Sequence, residues 1–213
     1  MMDEVQWQLR PLFKEHGFRM RLRTCNHTTA DGIVHVINFQ MGRHDPPGTY
    51  EIPGLRENLY GRFTVNVGIY VPEIASVRYG KKTSDFAQEV DCCIRRRLAQ
   101  LASDSDLWWD LPAMQGALAD LRLRLERHAL PFLAKHEDRT AVLRQLESEV
   151  DGTGGPPRIF RAIILGHRGE IEQARKLLQE QIHGASAEHI KHVQDIADRL
   201  NLGRIEPNRA EHC

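Results

Sequence analysis

The chain has 213 residues, 41% of them hydrophobic, with Lys+Arg and Asp+Glu both at 29. That length suits one medium domain, or one domain with a small appendage. Zero net charge disfavours nucleic acid as a partner, and no apolar run nears the ~20 residues that span a bilayer, so no membrane is expected either.

Residues 3–16 place Val5, Leu9, Leu12 and Phe13 at helical spacing. Pro11 lies inside that pattern, which predicts a kink or break near Arg10, with Gly17 ending the helix. Phe18–Thr24 reads as a short strand and 26–32 as turn-rich. In IVHVINFQM, residues 33–41, Ile33, His35, Ile37 and Phe39 share one strand face, and Val34, Val36, Asn38 and Gln40 share the other. His35 on the apolar face reads as a hydrogen-bonded core residue. Residues 42–58, rich in Gly and Pro, read as a long loop.

FTVNVGIYV, residues 63–71, alternates strictly. Phe63, Val65, Val67, Ile69 and Val71 form a core face. Thr64, Asn66, Gly68 and Tyr70 form a polar one, where the glycine admits a close neighbour. One polar face implies an antiparallel sheet.

Residues 91–111, DCCIRRRLAQLASDSDLWWDL, hold the densest chemistry. As a helix, Phe86, Val90, Cys93, Ile94, Leu98 and Leu101 make a stripe. As a strand, Cys92, Ile94 and Leu98 face inward, Arg95 and Arg97 outward, and Arg96 spoils the inner face. A fourth strand over 91–98 is the preferred reading. The three arginines suit either a bidentate grip on an anion or ion pairs to Asp91, Asp104 or Asp106. Of Trp108 and Trp109, one is expected to staple the sheet to the helices while the other stays partly exposed.

From Pro112 onward the pattern is helical, with Leu118, Leu121, Leu125 and Leu130 in a stripe and Pro131 marking a bend. DGTGGPP, residues 151–157, is a breaker cluster and reads as a linker. It divides an α+β part with trailing helices, 1–150, from helices over 151–213. The latter begin with a tetratricopeptide-like hairpin turning at Gly169, and a last helix is capped by Ser186.

Catalytic signatures are weak. Cys25, Cys92, Cys93 and Cys213 form no CxxC pair, and Cys92 and Cys93 cannot readily close on one metal ion. His189 and His192, with Glu188 and Asp195 nearby, resemble half a metal site but read better as a solvated helix face. No catalytic residue, metal or cofactor is expected. MMDEVQWQLR has no apolar segment of the secretory kind, so the expectation is a reduced, cytoplasmic protein.

The order of short motifs carries more than any one of them. Gly17 and Phe18 follow the first helix, Asn38 and Gln40 end a strand, and Phe63, Asn66 and Gly68 lie on the next. Cys92, Arg95 and Arg97 then lead to Asp106, Trp108 and Trp109. This order resembles the bacterial family named domain of unknown function 4304, over about residues 1–135. Ala99-Gln100 stands where that pattern has glycine soon after the second arginine. The resemblance implies no activity. It does group Asn38, Gln40, Asn66, Arg95, Arg97 and Trp108 on one polar sheet face as the candidate binding residues. The expected fold is α+β, a three- or four-stranded antiparallel sheet packed on helices and followed by an all-helical C-terminal region. The expected function is a non-catalytic binding or interaction protein whose partner is another protein, inhibitor- or immunity-like in one version. The alternative is a small enzyme or sensor holding a small anionic ligand on the same face.

Overall fold

The computed structural model describes residues 2–42, 52, 58–80, 85–103, 106–111, 114–149 and 157–206, the side chains of Tyr79, Met114 and Gln115 excepted. Most of the 42–58 loop, Asp104, the breaker cluster with its domain boundary, and Cys213 lie outside the described residues.

Helix α1 (Met2–Glu15) buries Val5, Leu9, Leu12 and Phe13. It runs through Pro11 without the expected break. Residue 11 donates no hydrogen bond and its ring crowds the carbonyl four residues earlier, but the buried face on either side holds the helix together. Gly17, at φ 72°, ends it as expected. There Phe18 N–H returns to the Phe13 carbonyl at 2.8 Å, and Gly17 N–H to that of Lys14 at 3.1 Å.

Six strands follow: β1 (Arg19–Arg21), β2 (Thr24–Thr28), β3 (Val34–Met41), β4 (Arg62–Tyr70), β5 (Ile94–Arg97) and β6 (Trp109–Asp110). Every pairing is antiparallel, in the order β1-β2-β3-β4-β5, with β6 also on β4. The class is the expected α+β, but the sheet is larger than three or four strands. The expected strand over Phe18–Thr24 holds β1, while β2 and β6 are additions, and β6 spans two residues, too few to display a period. The turn-rich reading of 26–32 is also corrected. Strand β2 runs on to Thr28, and the turn is confined to the residues before Ile33, with Gly32 at φ 78°.

The 91–98 segment is neither all strand nor all helix. A single 3-10 turn (Glu89–Asp91) precedes β5, and helix α3 (Leu98–Leu101) follows it. Cys93 and Ile94 enter the main core, whereas Cys92 lies on the opposite face. Arg96 pairs across from Val67 on the inner side. Because β5 is an edge strand, its guanidinium escapes sideways to Glu149.

Helix α2 (Pro72–Tyr79) leaves β4 directly. Helix α4 (Met114–Arg124) continues through a π-helical turn (Leu125–Ala129) into α5 (Leu130–Ala134). In that turn Leu130 N–H reaches back to Leu125. The widened turn sits where Pro131 would otherwise collide with the carbonyl four residues earlier. Trp109 stacks on Phe63 at 5.6 Å and donates to Asp120 at 2.9 Å, so it is the ring that staples sheet to helix.

Helices α6 (Arg139–Ser148), α7 (Pro157–His167), α8 (Ile171–Ile182) and α9 (Ala187–Arg199) complete the fold. Helices α7 and α8 pack as a hairpin that turns at Gly169, φ 80°, and Ser186 accepts from His189 N–H as the cap of α9. Helix α7 packs on α2 and α6, and α9 on α2 and α8. Arg199 donates to the carbonyls of Val77 and Arg78. One continuous apolar core therefore joins the inner sheet face to the last helices.

Candidate functional site

The strand registers place five polar residues in one straight row on the outer face of the sheet. Arg21 pairs with Thr24, Thr24 with Asn38, Asn38 with Asn66, and Asn66 with Arg97. Strands lie about 4.8 Å apart, so the row spans roughly 19 Å across five strands. Gln40 and Thr64 stand opposite each other one step along, on the same face.

These groups hold one another. Asn38 Nδ2 donates to Thr24 Oγ1 at 3.0 Å, and Asn66 Nδ2 donates to Gln40 Oε1 at 2.8 Å. Arg97 Nη1 donates to Asp106 Oδ1 at 2.8 Å, and Trp108 Nε1 donates to the other oxygen of Asp106 at 3.0 Å. The Arg97 guanidinium lies over the Trp108 ring, 5.2 Å from its centre. One carboxylate thus orients an arginine and a tryptophan together, a cation–π pair worth about 0.5–1 kcal/mol where water reaches it.

The neighbouring row runs Arg19, Asn26, Val36, Gly68 and Arg95. It is not open. Residues 87–92 lie over it, and Val36, Tyr70, Ala75, Ala87 and Cys92 form a second small apolar cluster there. Asn26 exchanges two hydrogen bonds with the backbone of Ala87, at 2.7 and 3.1 Å. Gly68 admits the cover. A Cβ there would stand 2.6 Å from Cys92 Sγ, which no real contact allows. Arg95 grips Glu89 of the covering segment at 2.7 and 3.0 Å.

All six sequence-derived residues therefore share one face, but they do not form one cleft. Arg95 belongs to the cover. Asn38, Gln40, Arg97 and Trp108 remain at least partly accessible, while Asn66 is buried beneath Gln40. Thr24, Asn26, Glu89 and Asp106 complete the network. Asp106 had a sequence signal as an arginine partner; Asn26 was obscured by the turn reading, and Glu89 stands just before the motif, outside the acids weighed for the arginines. The Thr64 hydroxyl is buried with no partner among the described residues.

Among the described residues the thiols offer no nucleophile. Cys25, Cys92 and Cys93 are free and buried. Burial pushes Cys25 and Cys93 up to about 12 and Cys92 well above its ordinary value, so all three stay protonated at neutral pH. His35 is the expected core residue, its Nε2 3.0 Å from the His136 carbonyl. Among the described residues no three His, Cys, Asp or Glu side chains could hold a metal ion. No helix among them is long and apolar enough to cross a membrane.

The stretch that supplies β4, the covering segment, β5 and the Trp108–Trp109 pair is similar to a known family model. Residues 54–135 match the model described as Domain of unknown function (DUF4304). The match is narrower than the 1–135 expected from the motif order. It takes in Asn66, Gly68, Arg95, Arg97, Asp106 and both tryptophans, and leaves Asn38 and Gln40 on the strand that completes the face. No curated protein and no solved structure matches the chain. The matched segment thus supplies the Arg97–Asp106–Trp108 cluster entirely from within itself.

Proposed function

We propose that this protein is a non-catalytic binding protein of the cytoplasm, engaging another protein through the open part of its polar sheet face. Arg97, Trp108, Asn38 and Gln40 would form the contact surface. The observation that carries the reading is the Arg97–Asp106–Trp108 cluster. Trp and Arg are the residue types that dominate binding energy at protein interfaces, and here both are held in place before a partner arrives. An inhibitor- or immunity-like role is one form of this reading.

A small anion is the weaker occupant. Arg95 and Arg97 each already hold a carboxylate of their own chain, so an anion would have to displace Glu89 or Asp106. The anion reading requires thermal stabilisation by at least one nucleotide or phosphorylated metabolite, lost in Arg95→Ala.

The test of the leading reading is affinity capture from the native source with the wild type and the R97A/W108A variant. A co-purifying protein at stoichiometric level, lost with the variant while its far-UV spectrum is unchanged, supports it. Equal recovery by both, or no stoichiometric partner, overturns it.

A further inference from the structure

The basic residues of this neutral chain are unevenly used. Arg62, Arg95, Arg96, Arg97, Arg122, Arg124, Arg139, Arg161 and Arg168 are each within ion-pair distance of a carboxylate. Between residues 10 and 23 the balance differs. Arg10, Lys14, Arg19, Arg21 and Arg23 face a single acid, Glu15. Among the described residues none of these five cations has a carboxylate partner.

Three of them surround a groove. A hollow of about 570 Å³ separates α1 from the β1–β2 hairpin, with Trp7, Arg10, Lys14, Arg19 and Leu22 among its walls. A second hollow of about 500 Å³ shares Trp7, Arg10 and Lys14. Trp7 is 61% exposed and Leu22 is 86% exposed, two large apolar side chains left in water at the rim. Leu22 sits at φ 53°, a conformation that favours glycine, so the hairpin turn presents this side chain at a cost of about 1–2 kcal/mol. Pro11 contributes a further feature. It has no N–H, so the Trp7 carbonyl four residues earlier lacks its helical donor, and both residues line the second hollow.

We propose that this groove is a docking site for an acidic, extended segment of a partner protein, separate from the polar sheet face. An apolar side chain of the segment lies between Trp7 and Leu22, flanked by carboxylates that meet Arg10, Lys14 and Arg19. A backbone N–H of the segment serves the Trp7 carbonyl. Charge complementarity selects the occupant: three unpaired cations outnumber Asp3, the one acid of the wall. A nucleic-acid strand fits less well. Its phosphates have no proton for the freed carbonyl, and the chain as a whole offers no positive field.

The test is fluorescence anisotropy of the full chain with a short labelled peptide, glutamates flanking a central phenylalanine on a glycine-serine backbone. Its comparators replace the glutamates by lysines, replace the phenylalanine by serine, or substitute a labelled single-stranded oligothymidylate. The expected result is saturable binding of the acidic peptide, weakened about tenfold or more in R10E/K14E and in W7A and weakened by added salt, with R97A/W108A unchanged. Trp7, Arg10 and Lys14 are surface positions, and far-UV spectra verify the fold. Should W7A not fold, R10E/K14E decides. Equal binding of acidic and lysine peptides, no binding, insensitivity to R10E/K14E, equal loss in R97A/W108A, or binding of oligothymidylate in place of the peptide would each overturn the proposal.

Discussion

Arg139 clasps Glu73 through two hydrogen bonds, Nε to Oε1 at 2.6 Å and Nη2 to Oε2 at 2.9 Å. The pair joins the first turn of α6 to the first turn of α2. Arg139 also binds Asp31 in the β2–β3 turn, through its backbone N–H at 2.9 Å and its guanidinium. Three segments distant in sequence therefore meet at one guanidinium, whose pKa is raised chiefly by its hydrogen bonds to Glu73. The Glu73 side chain is only 4% exposed. Glu73→Gln leaves a partly buried cation with Asp31 alone and is expected to cost about 1–3 kcal/mol in urea unfolding. Replacing both partners by apolar residues, E73L/R139M, is expected to cost less than E73Q alone. A double variant no more stable than the single one would refute this assignment of the loss.

Gly68 and Cys92 form the tightest contact between the sheet and its cover. Gly68→Ala would set a Cβ 2.6 Å from the sulfur and 2.9 Å from the Cys92 Cβ. The segment 87–92 must then lift, at an expected cost of about 1–3 kcal/mol. Adding Cys92→Ala removes the sulfur clash but not the second contact, so the pair should be non-additive, with part of the loss recovered. Strict additivity in thermal melts would place the strain elsewhere.

His35 sets a pH dependence. Burial lowers its pKa, opposed by the hydrogen bond to the His136 carbonyl and reinforced by the neighbouring His27. A group depressed in the fold binds its proton more readily when unfolded. Stability is therefore full above the ordinary histidine value near 6.5 and falls as pH drops from there to the depressed value. His192 is shifted the same way, mainly by burial, so the two contributions add. Urea midpoints taken from neutral pH down to about pH 5 should fall, and His35→Gln, which keeps a donor for the carbonyl, should flatten part of the slope. An unchanged slope in that variant would remove His35 from the account.

Thr64 carries a buried hydroxyl with no partner among the described residues. Such a group costs about 1–3 kcal/mol in desolvation. Thr64→Val keeps the shape and removes the hydroxyl, so the free protein should gain stability, by about 1 kcal/mol. A loss of stability on T64V would mean that the hydroxyl is satisfied.

The faces of the sheet were legible in the residues. Alternation in 63–71 placed Asn66 and Gly68 opposite Val65 and Val67, and the strand registers put Asn38, Arg95 and Arg97 on that same face. The end of α1 at Gly17, the Ser186 cap and the Gly169 turn were legible for the same reason, since a cap or a turn is decided within a few residues. The partners of the arginines were less so. Glu149 lies 53 residues beyond Arg96, and no local pattern joins them. Asn26 looked like a turn residue because asparagine favours turns, yet it is held in a strand by the backbone of Ala87, 61 residues away.

What the sequence by itself determined is periodicity, and periodicity assigns each side chain to one surface of its own strand or helix. Tertiary structure alone decided which strands became neighbours, and in what register, because these depend on how the whole chain buries its apolar area. That choice aligned Arg21, Thr24, Asn38, Asn66 and Arg97 into one row and laid residues 87–92 across the next.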